Sequence, residues 1–332
     1  MALATPSTEH RDEHPVTGQG SAKRPVLRRL IFLVPLLLIA GWAVANRSLL
    51  VDGCRELVAA DRGWLAAAVV LMVGCWVPVC VARQGATLEP LPFGRLFATQ
   101  VAAGTANHVL PAGLGAHAVT LRFLTRRGIP PARAAASLAL YSLVEPAARV
   151  LLLLALIAVY PESLRPAGLL PDGGVLALTL GAVVVVAGLV AAVVFAVPAV
   201  RRGVGGFLRI ALTDARAVHS RPPRLLALWG GAFAFPAAQA TVLMAVATAM
   251  DVPVASMDVA IAYLAASVVA GGIPTPGGIG SVEAALTLAL AAAGCPLALA
   301  TGTVLGFRMI TLWLPLIPGA LLLGMLIRRK IL

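Results

Sequence analysis

Long apolar runs, separated by short polar and arginine-bearing stretches, dominate the chain from residue 30 onward. Six of them read as membrane spans: Leu30–Ala45, Gly63–Ala82, Ala134–Tyr160, Gly173–Pro198, Leu225–Met250 and Leu297–Ile327. Two other apolar regions are interrupted. Leu96–Leu121 carries Gln100, Asn107, His108 and the breaker run Leu110-Pro111-Ala112-Gly113-Leu114-Gly115. Further on, Met257–Ala270 and Ser281–Gly294 flank Gly271-Gly272-Ile273-Pro274-Thr275-Pro276-Gly277-Gly278-Ile279-Gly280. Glycine and proline at that density cannot continue a helix. Each arm of the second region, about 14 residues or roughly 21 Å of helix, falls short of the ~30 Å hydrocarbon core. A broken backbone at membrane depth is tolerated only where it is buried in protein or lines a wet cavity. The pattern therefore predicts an all-α polytopic membrane protein, with six spans plus two re-entrant helical hairpins. The second turn hands the chain to a helix N-terminus at Ser281, where free N–H groups and the dipole favour an anion.

The two breaks resemble each other. Pro111-Ala-Gly-Leu-Gly115 aligns with Pro276-Gly-Gly-Ile-Gly280 and, after a one-residue slip, Gly128-Ile-Pro130 aligns with Gly294-Cys-Pro296. Each half, about 30–160 and 173–327, then reads as two spans, a hairpin and a long helix. Three net crossings per half put the halves in opposite orientations. Inverted repeats with broken helices near the midplane are a common transporter plan, with the substrate site at the repeat interface. Pro111, Gly113, Gly115, Pro274, Pro276, Gly277, Gly278 and Gly280 are the expected turn residues.

Basic residues set the orientation. They cluster at Lys23/Arg24/Arg28/Arg29, at Arg122/Arg126/Arg127/Arg133, in a 199–224 loop with six arginines, and at Arg328-Arg329-Lys330. The positive-inside rule places these clusters, and both termini, in the cytoplasm. That requires 96–121 to be a hairpin entering from the cytoplasm and 257–294 one entering from outside. Ordinary crossings at both places would carry the Arg122–Arg133 cluster outside. Residues 1–29, polar and of mixed charge, are expected to be a disordered cytoplasmic tail. Ala43-Val44-Ala45 has the small residues of a cleavage site, but the long polar leader favours a retained helix.

Composition agrees: of 332 residues 60% are hydrophobic and 12% charged, and the mean hydropathy is +0.93. Helices use up this length and leave no room for a soluble catalytic domain. The net charge of +12 follows membrane sidedness, so no nucleic-acid partner is expected. Cys54, Cys75, Cys80 and Cys295 show no metal or redox spacing, and no metal or cofactor is expected. The serine-hydrolase elbow, the zinc-protease motif and the Walker loop have no counterpart here, so the chain is not read as an enzyme.

Four charges lie inside apolar runs, where each costs roughly 2.5–3.5 kcal/mol on insertion scales and normally faces a partner or a cavity. Glu145 and Arg149 stand at i, i+4 in the favourable order; they either neutralise each other or face a polar cavity beside Pro146. Glu283 falls in the first turn after the second break. It either stabilises that helix end or meets a substrate amine or carries a proton. Arg308 has no acid in its own segment, which leaves Glu283, Glu145 or a ligand phosphate as its partner. Asn107 and His108 before the first turn, and His117 after it, add polar groups that serve either structure or site.

At Pro276-Gly-Gly-Ile-Gly-Ser-Val-Glu-Ala-Ala and Gly-Phe-Arg308-Met-Ile-Thr-Leu-Trp-Leu-Pro-Leu the chain resembles the lysylphosphatidylglycerol synthase transmembrane-region family, as a stand-alone member. The similarity runs from about Leu30 to Ile327, so that 30–330 is one flippase-like domain. It implies a multi-pass protein of the bacterial cytoplasmic membrane that moves a lipid or lipid-linked molecule between leaflets. It also implies roles for Pro276, Gly277, Gly278, Gly280, Glu283, Arg308 and the Pro111/Gly113/Gly115 turn. Many relatives carry an acid just after the first turn, where this chain has Ala116 and His117, and an arginine near Ser142. The aminoacyl-transferase domain of fused relatives has no counterpart, so lysine transfer is not expected. The predicted site is Arg308, Glu283, Glu145, Arg149, Asn107 and His108, around a lipid with an anionic or phosphate-containing headgroup. The competing readings are an ion-coupled small-solute transporter and a non-transporting partner of a membrane-associated glycosyltransferase.

Overall fold

The computed structural model describes residues 57–109, 114–161, 198–272 and 278–329, together with Arg55, all within one unit spanning Asn46–Leu332. Every element among them is helical: α1 (Arg62–Gly74), α2 (Trp76–Gly85), α3 (Phe93–Val109), α4 (Leu114–Arg126), α5 (Pro131–Val159), α6 (Pro198–His219), α7 (Pro222–Ala249), α8 (Ser256–Gly271), α9 (Ser281–Ala292), α10 (Leu297–Arg308) and α11 (Leu314–Arg328). Four stretches among the described residues are long and apolar enough to cross a membrane: Arg62–Gly85, Pro131–Val159, Pro222–Ala249 and Leu297–Arg328. They coincide with four of the predicted spans. The other two, Leu30–Ala45 and Gly173–Pro198, lie outside the described residues except for Pro198, which begins α6.

The remaining apolar helices are short and come in pairs: α3 packs on α4, and α8 on α9. Each pair is joined through one of the two predicted breaks. Pro111, Gly113, Pro274, Pro276 and Gly277 lie outside the described residues. Gly278 and Gly280 have φ of 71° and 87°, the left-handed region that glycine enters without steric cost. Gly115 corrects an expectation. It lies in the first turn of α4 rather than in the connection, and a Cβ there would stand 1.9 Å from the Ala106 carbonyl oxygen of α3. Its task is close helix packing.

The closures that follow α4 and α9 match in backbone detail. The Gly128 and Gly294 φ angles are 84° and 99°. Gly128 N–H donates to Thr125 O and Ile129 N–H to Leu124 O, at 3.0 and 3.2 Å; Gly294 N–H donates to Ala291 O and Cys295 N–H to Leu290 O, both at 3.0 Å. A left-handed glycine thus closes α4 and α9 in the same way. Pro130 and Pro296, at φ/ψ of −54°/138° and −55°/137°, then launch α5 and α10.

Close packing joins two of the long stretches. The α1–α2 stretch lies against α7. Asp61 N–H donates to Ala249 O at 2.8 Å at one end. Further along, a Cβ on Gly231 would fall 2.5 Å from Pro78 O and 2.6 Å from Ala82 N, and one on Gly85 would fall 2.3 Å from Leu228 N. Residue numbers rise along α1–α2 as they fall along α7, so these corresponding spans run antiparallel. Small residues permit the approach, as in other membrane bundles. Helix α3 also packs on α11, and α8 on α5. Helix α7 is central, touching α1, α2, α5, α8 and α10, and Val242, Leu243, Val246, Leu264, Leu286 and Leu290 are fully buried around it.

Two expected elements are corrected. The 199–224 loop is mostly helix α6, laid against α5 and α7. Its arginines had hidden a helical repeat of apolar residues at Val204, Leu208, Ala211, Ala215 and Val218. The last run is not one α-helix, because a π-turn at Met309–Trp313 separates α10 from α11. Pro315 has no N–H for the Thr311 carbonyl, and its ring crowds that carbonyl. Widening the turn relieves the clash, and Leu314 N–H bonds to Met309 O instead.

Candidate functional site

Four of the six polar side chains predicted from the sequence, Asn107, His108, Arg149 and Arg308, line one chamber of about 620 Å3. The ends of α3 and α8 reach it. Helix α3 brings Asn107 and His108 in its last turn, and the second break brings Gly271, Gly272 and Gly278. Arg149 enters from α5, Arg308 from the end of α10, and Thr311 from the π-turn. Trp76, Phe235, Tyr263 and Phe307 supply aromatic walls, with Gln239 and Ser267 between them. Tyr263 and Phe307 meet edge to face, their centroids 5.8 Å apart.

Both arginines are paired behind the wall. Arg149 Nη2 donates to Glu145 Oε1 one helical turn earlier. Arg308 Nε donates to Glu283 Oε1 at 2.6 Å across α10 and α9. Of the partners open for Arg308 at the sequence level, Glu283 is found. The other oxygen of that carboxylate, Oε2, accepts from Gly280 N–H at 2.7 Å. One side chain thus closes the orphan N-terminus of α9 and neutralises a buried cation, the reciprocal half of a capping box. Of the alternatives for Glu283, the structure shows the helix-end role, with the ion pair to Arg308 beside it.

The chamber is not fully satisfied by the protein. Asn107 Oδ1, His108 Nδ1 and Arg149 Nε are enclosed without a hydrogen-bond partner, each a cost of about 1–3 kcal/mol where nothing else supplies one. The Ser267 and Thr311 hydroxyls donate to the carbonyls of Leu264 and Phe307, leaving their lone pairs toward the remaining space. His117 is placed elsewhere: its Nε2 is 2.8 Å from Ser142 Oγ, tying α4 to α5, and it does not line the chamber. Among the described residues no group of three or more His, Cys, Asp or Glu could hold a metal ion.

Sequence reasoning missed several residues. Trp76, Gln239 and Tyr263 carry polar tips inside apolar runs, and that contrast is the signal that would have found them. Arg83 was missed for another reason. At the end of a span it reads as a snorkelling cation, yet it is buried, its guanidinium 3.7 Å above the Tyr141 ring, with Nε and Nη1 unpartnered. Nothing in the linear pattern indicates that α5 folds over it.

A family model described as the lysylphosphatidylglycerol synthase TM region matches residues 26–319. No curated protein matches the chain.

Proposed function

Because this chain belongs to the lysylphosphatidylglycerol synthase TM region family, we propose that it is a lipid flippase of the bacterial cytoplasmic membrane, moving a lipid or lipid-linked molecule between leaflets. One observation carries the reading. The ends of α3 and α8 and the arginines of two intramembrane ion pairs border a single chamber. Intramembrane charges at a shared cavity mark a substrate path. A headgroup occupies the chamber while the acyl chains stay in the bilayer. No catalytic role is assigned to the domain.

The same reading treats α3–α4 and α8–α9 as re-entrant hairpins. At about 1.5 Å per residue, helices of 17, 13, 16 and 12 residues are too short to span ~30 Å upright. It also treats the halves as an inverted repeat with both termini cytoplasmic. Support comes from the antiparallel run of α1–α2 against α7 and from the twin Gly-x-Pro closures. Access then alternates as one half rocks on the other. An anionic or phosphate-containing headgroup, the class expected from the sequence, would have to compete with Glu283 for Arg308. The competing reading, a non-transporting partner of a membrane-associated glycosyltransferase, would leave function intact when all four intramembrane charges are changed to alanine.

The test is lipid translocation in vesicles reconstituted with the full chain, using headgroup-labelled lipids and a membrane-impermeant quencher. Wild type is expected to exceed protein-free vesicles, and Arg308→Ala and Arg149→Ala to fall toward that background. Equal rates in wild type and both variants, with the proteins folded, would overturn the reading.

A further inference from the structure

Resting on the lipid-flippase reading for its setting, we infer that the chamber is built for a polyhydroxylated headgroup, a sugar or polyol, rather than a bare phosphate or an ammonium group. Three observations lead there.

The first is the balance of unfilled hydrogen bonds. Asn107 Oδ1 is an acceptor without a donor, and Arg149 Nε a donor without an acceptor. Ser267 Oγ and Thr311 Oγ1, with their protons committed to backbone carbonyls, offer only lone pairs. Gln239, on α7 at the same wall, presents an amide with both functions. A phosphate diester brings acceptors alone and leaves Asn107, Ser267 and Thr311 facing like lone pairs. Each hydroxyl of a sugar both donates and accepts, so one ring serves both kinds of orphan.

The second is charge. Arg149 and Arg308 line the chamber, whereas their acids Glu145 and Glu283 stand behind them and do not. An ammonium group entering would meet guanidinium groups first. Since each arginine already has a carboxylate, an entering anion finds their charge already offset. A neutral polyol depends on neither charge.

The third is shape. Trp76 on α2 and Phe235 on α7 offer flat apolar walls between the polar groups. Gly104 of α3 leaves room for the Trp76 indole, since a Cβ there would lie 2.5 Å from its edge. A sugar ring has apolar C–H faces and a polar rim, which suits flat aromatic walls separated by amides. The headgroup of a phospholipid such as phosphatidic acid has no such face.

The experiment separates headgroup class from transport. The full-length protein in lipid nanodiscs is titrated with glucosyl-diacylglycerol, phosphatidic acid, phosphatidylethanolamine and free methyl glucoside, following tryptophan emission, with Trp76→Phe as the reporter control. Saturable change with the glucosyl lipid, lost in Trp76→Phe, is expected, and about tenfold weaker binding in Asn107→Leu and in Gln239→Leu. Unfolding midpoints of the variants are read alongside, and the Gln239 variant decides if Asn107→Leu does not fold. Tighter binding of phosphatidic acid or phosphatidylethanolamine, or unchanged glucosyl-lipid affinity in the folded variants, would overturn the inference. Free methyl glucoside binding as well as the lipid would support the polyol class and assign it to a soluble solute. Glucosyl-lipid binding without translocation in vesicles would leave the headgroup assignment standing and sink the flippase reading. Translocation of phosphatidic acid without glucosyl-lipid binding would do the reverse.

Discussion

Removing the Glu283 carboxylate should unsettle the protein more than removing its partner Arg308, and the two losses should not add. Glu283 holds Arg308 Nε at 2.6 Å and the Gly280 N–H at 2.7 Å. The side chains of Arg308 and Glu283 are only 11% and 23% exposed, so solvent screens the pair weakly. Glu283→Ala leaves a buried guanidinium without its acid, a loss of about 3–5 kcal/mol for pairs of this kind. It also uncaps α9, for about 0.5–2 kcal/mol more. Arg308→Ala is milder. The carboxylate left behind keeps its backbone bond and sits in the first turn of α9, where the dipole favours it. About 1–3 kcal/mol is expected for that truncation. In the double variant no buried charge is stranded, so it should be no less stable than Glu283→Ala alone. The coupling should therefore be at least as large as the Arg308→Ala loss, about 1–3 kcal/mol, as for contacting residues. Glu283→Gln separates the parts, since it can still accept from Gly280 but cannot neutralise Arg308. Unfolding in detergent micelles, read by helical circular dichroism over the four-protein cycle, measures all of this. Additivity within about 0.5 kcal/mol, or a larger loss for Arg308→Ala than for Glu283→Ala, would refute the reasoning.

Three further outcomes follow from the packing. Gly231→Ala should destabilise because its Cβ would meet Pro78 O and Ala82 N, whereas Gly230→Ala, with open space around it, should stabilise by about 0.5–1 kcal/mol; equal effects at these neighbours in the same unfolding assay would contradict the α2–α7 approach. Cysteines at Arg127 and Ala293, equivalent positions in the two halves, should react with a membrane-impermeant maleimide from opposite sides in a background without native cysteines, and labelling from one side would rule out inversion. Arg83→Met should keep or raise the thermal midpoint, since it preserves length over Tyr141 and removes two unpartnered buried N–H-bearing nitrogens; a large fall would reveal an anion that the guanidinium serves.

Much of this was readable in one dimension because lipid removes the usual ambiguity. A stretch that must satisfy its own backbone is helical, so the four long helices follow from hydropathy alone. The interruptions were equally visible in glycine and proline. Charges in apolar runs announce themselves, and Glu283, Arg308, Glu145, Arg149, Asn107 and His108 do stand at or directly behind one chamber wall. What escaped was whatever depends on which helix faces which. Arg83 and Tyr141 lie far apart in sequence, and only the crossing of α2 and α5 stacks them. Gly115 was assigned to a turn because glycine signals turns, although the same missing Cβ equally serves helix contact. Helix α6 was hidden because arginine clusters predict sidedness more strongly than they predict backbone conformation.

The position of Glu283 links the break in the chain to the charge in the chamber. On the re-entrant reading proposed above, α9 begins inside the bilayer, where its N–H groups have no water to receive them. Here a carboxylate from the first turn folds back to take one of them. Because its second oxygen holds Arg308, any movement of that arginine on loading would also loosen the cap of α9. The strain would pass to Gly280 and Gly278, which sit in left-handed conformations that other residues adopt only at a cost. On the opposite side, Arg308 is the last residue of α10 and the π-turn begins immediately after it. The backbone there departs from regular α geometry, as π-turns often do at functional sites. The guanidinium that lines the chamber is therefore tied to the two most irregular described segments of the second half. If the chamber changes shape on loading, α9 and the π-turn should loosen first, and hydrogen exchange at residues 278–283 and 309–313 should rise together when headgroup binds. Exchange confined to the ends of the long spans would show that the break and the charge act independently.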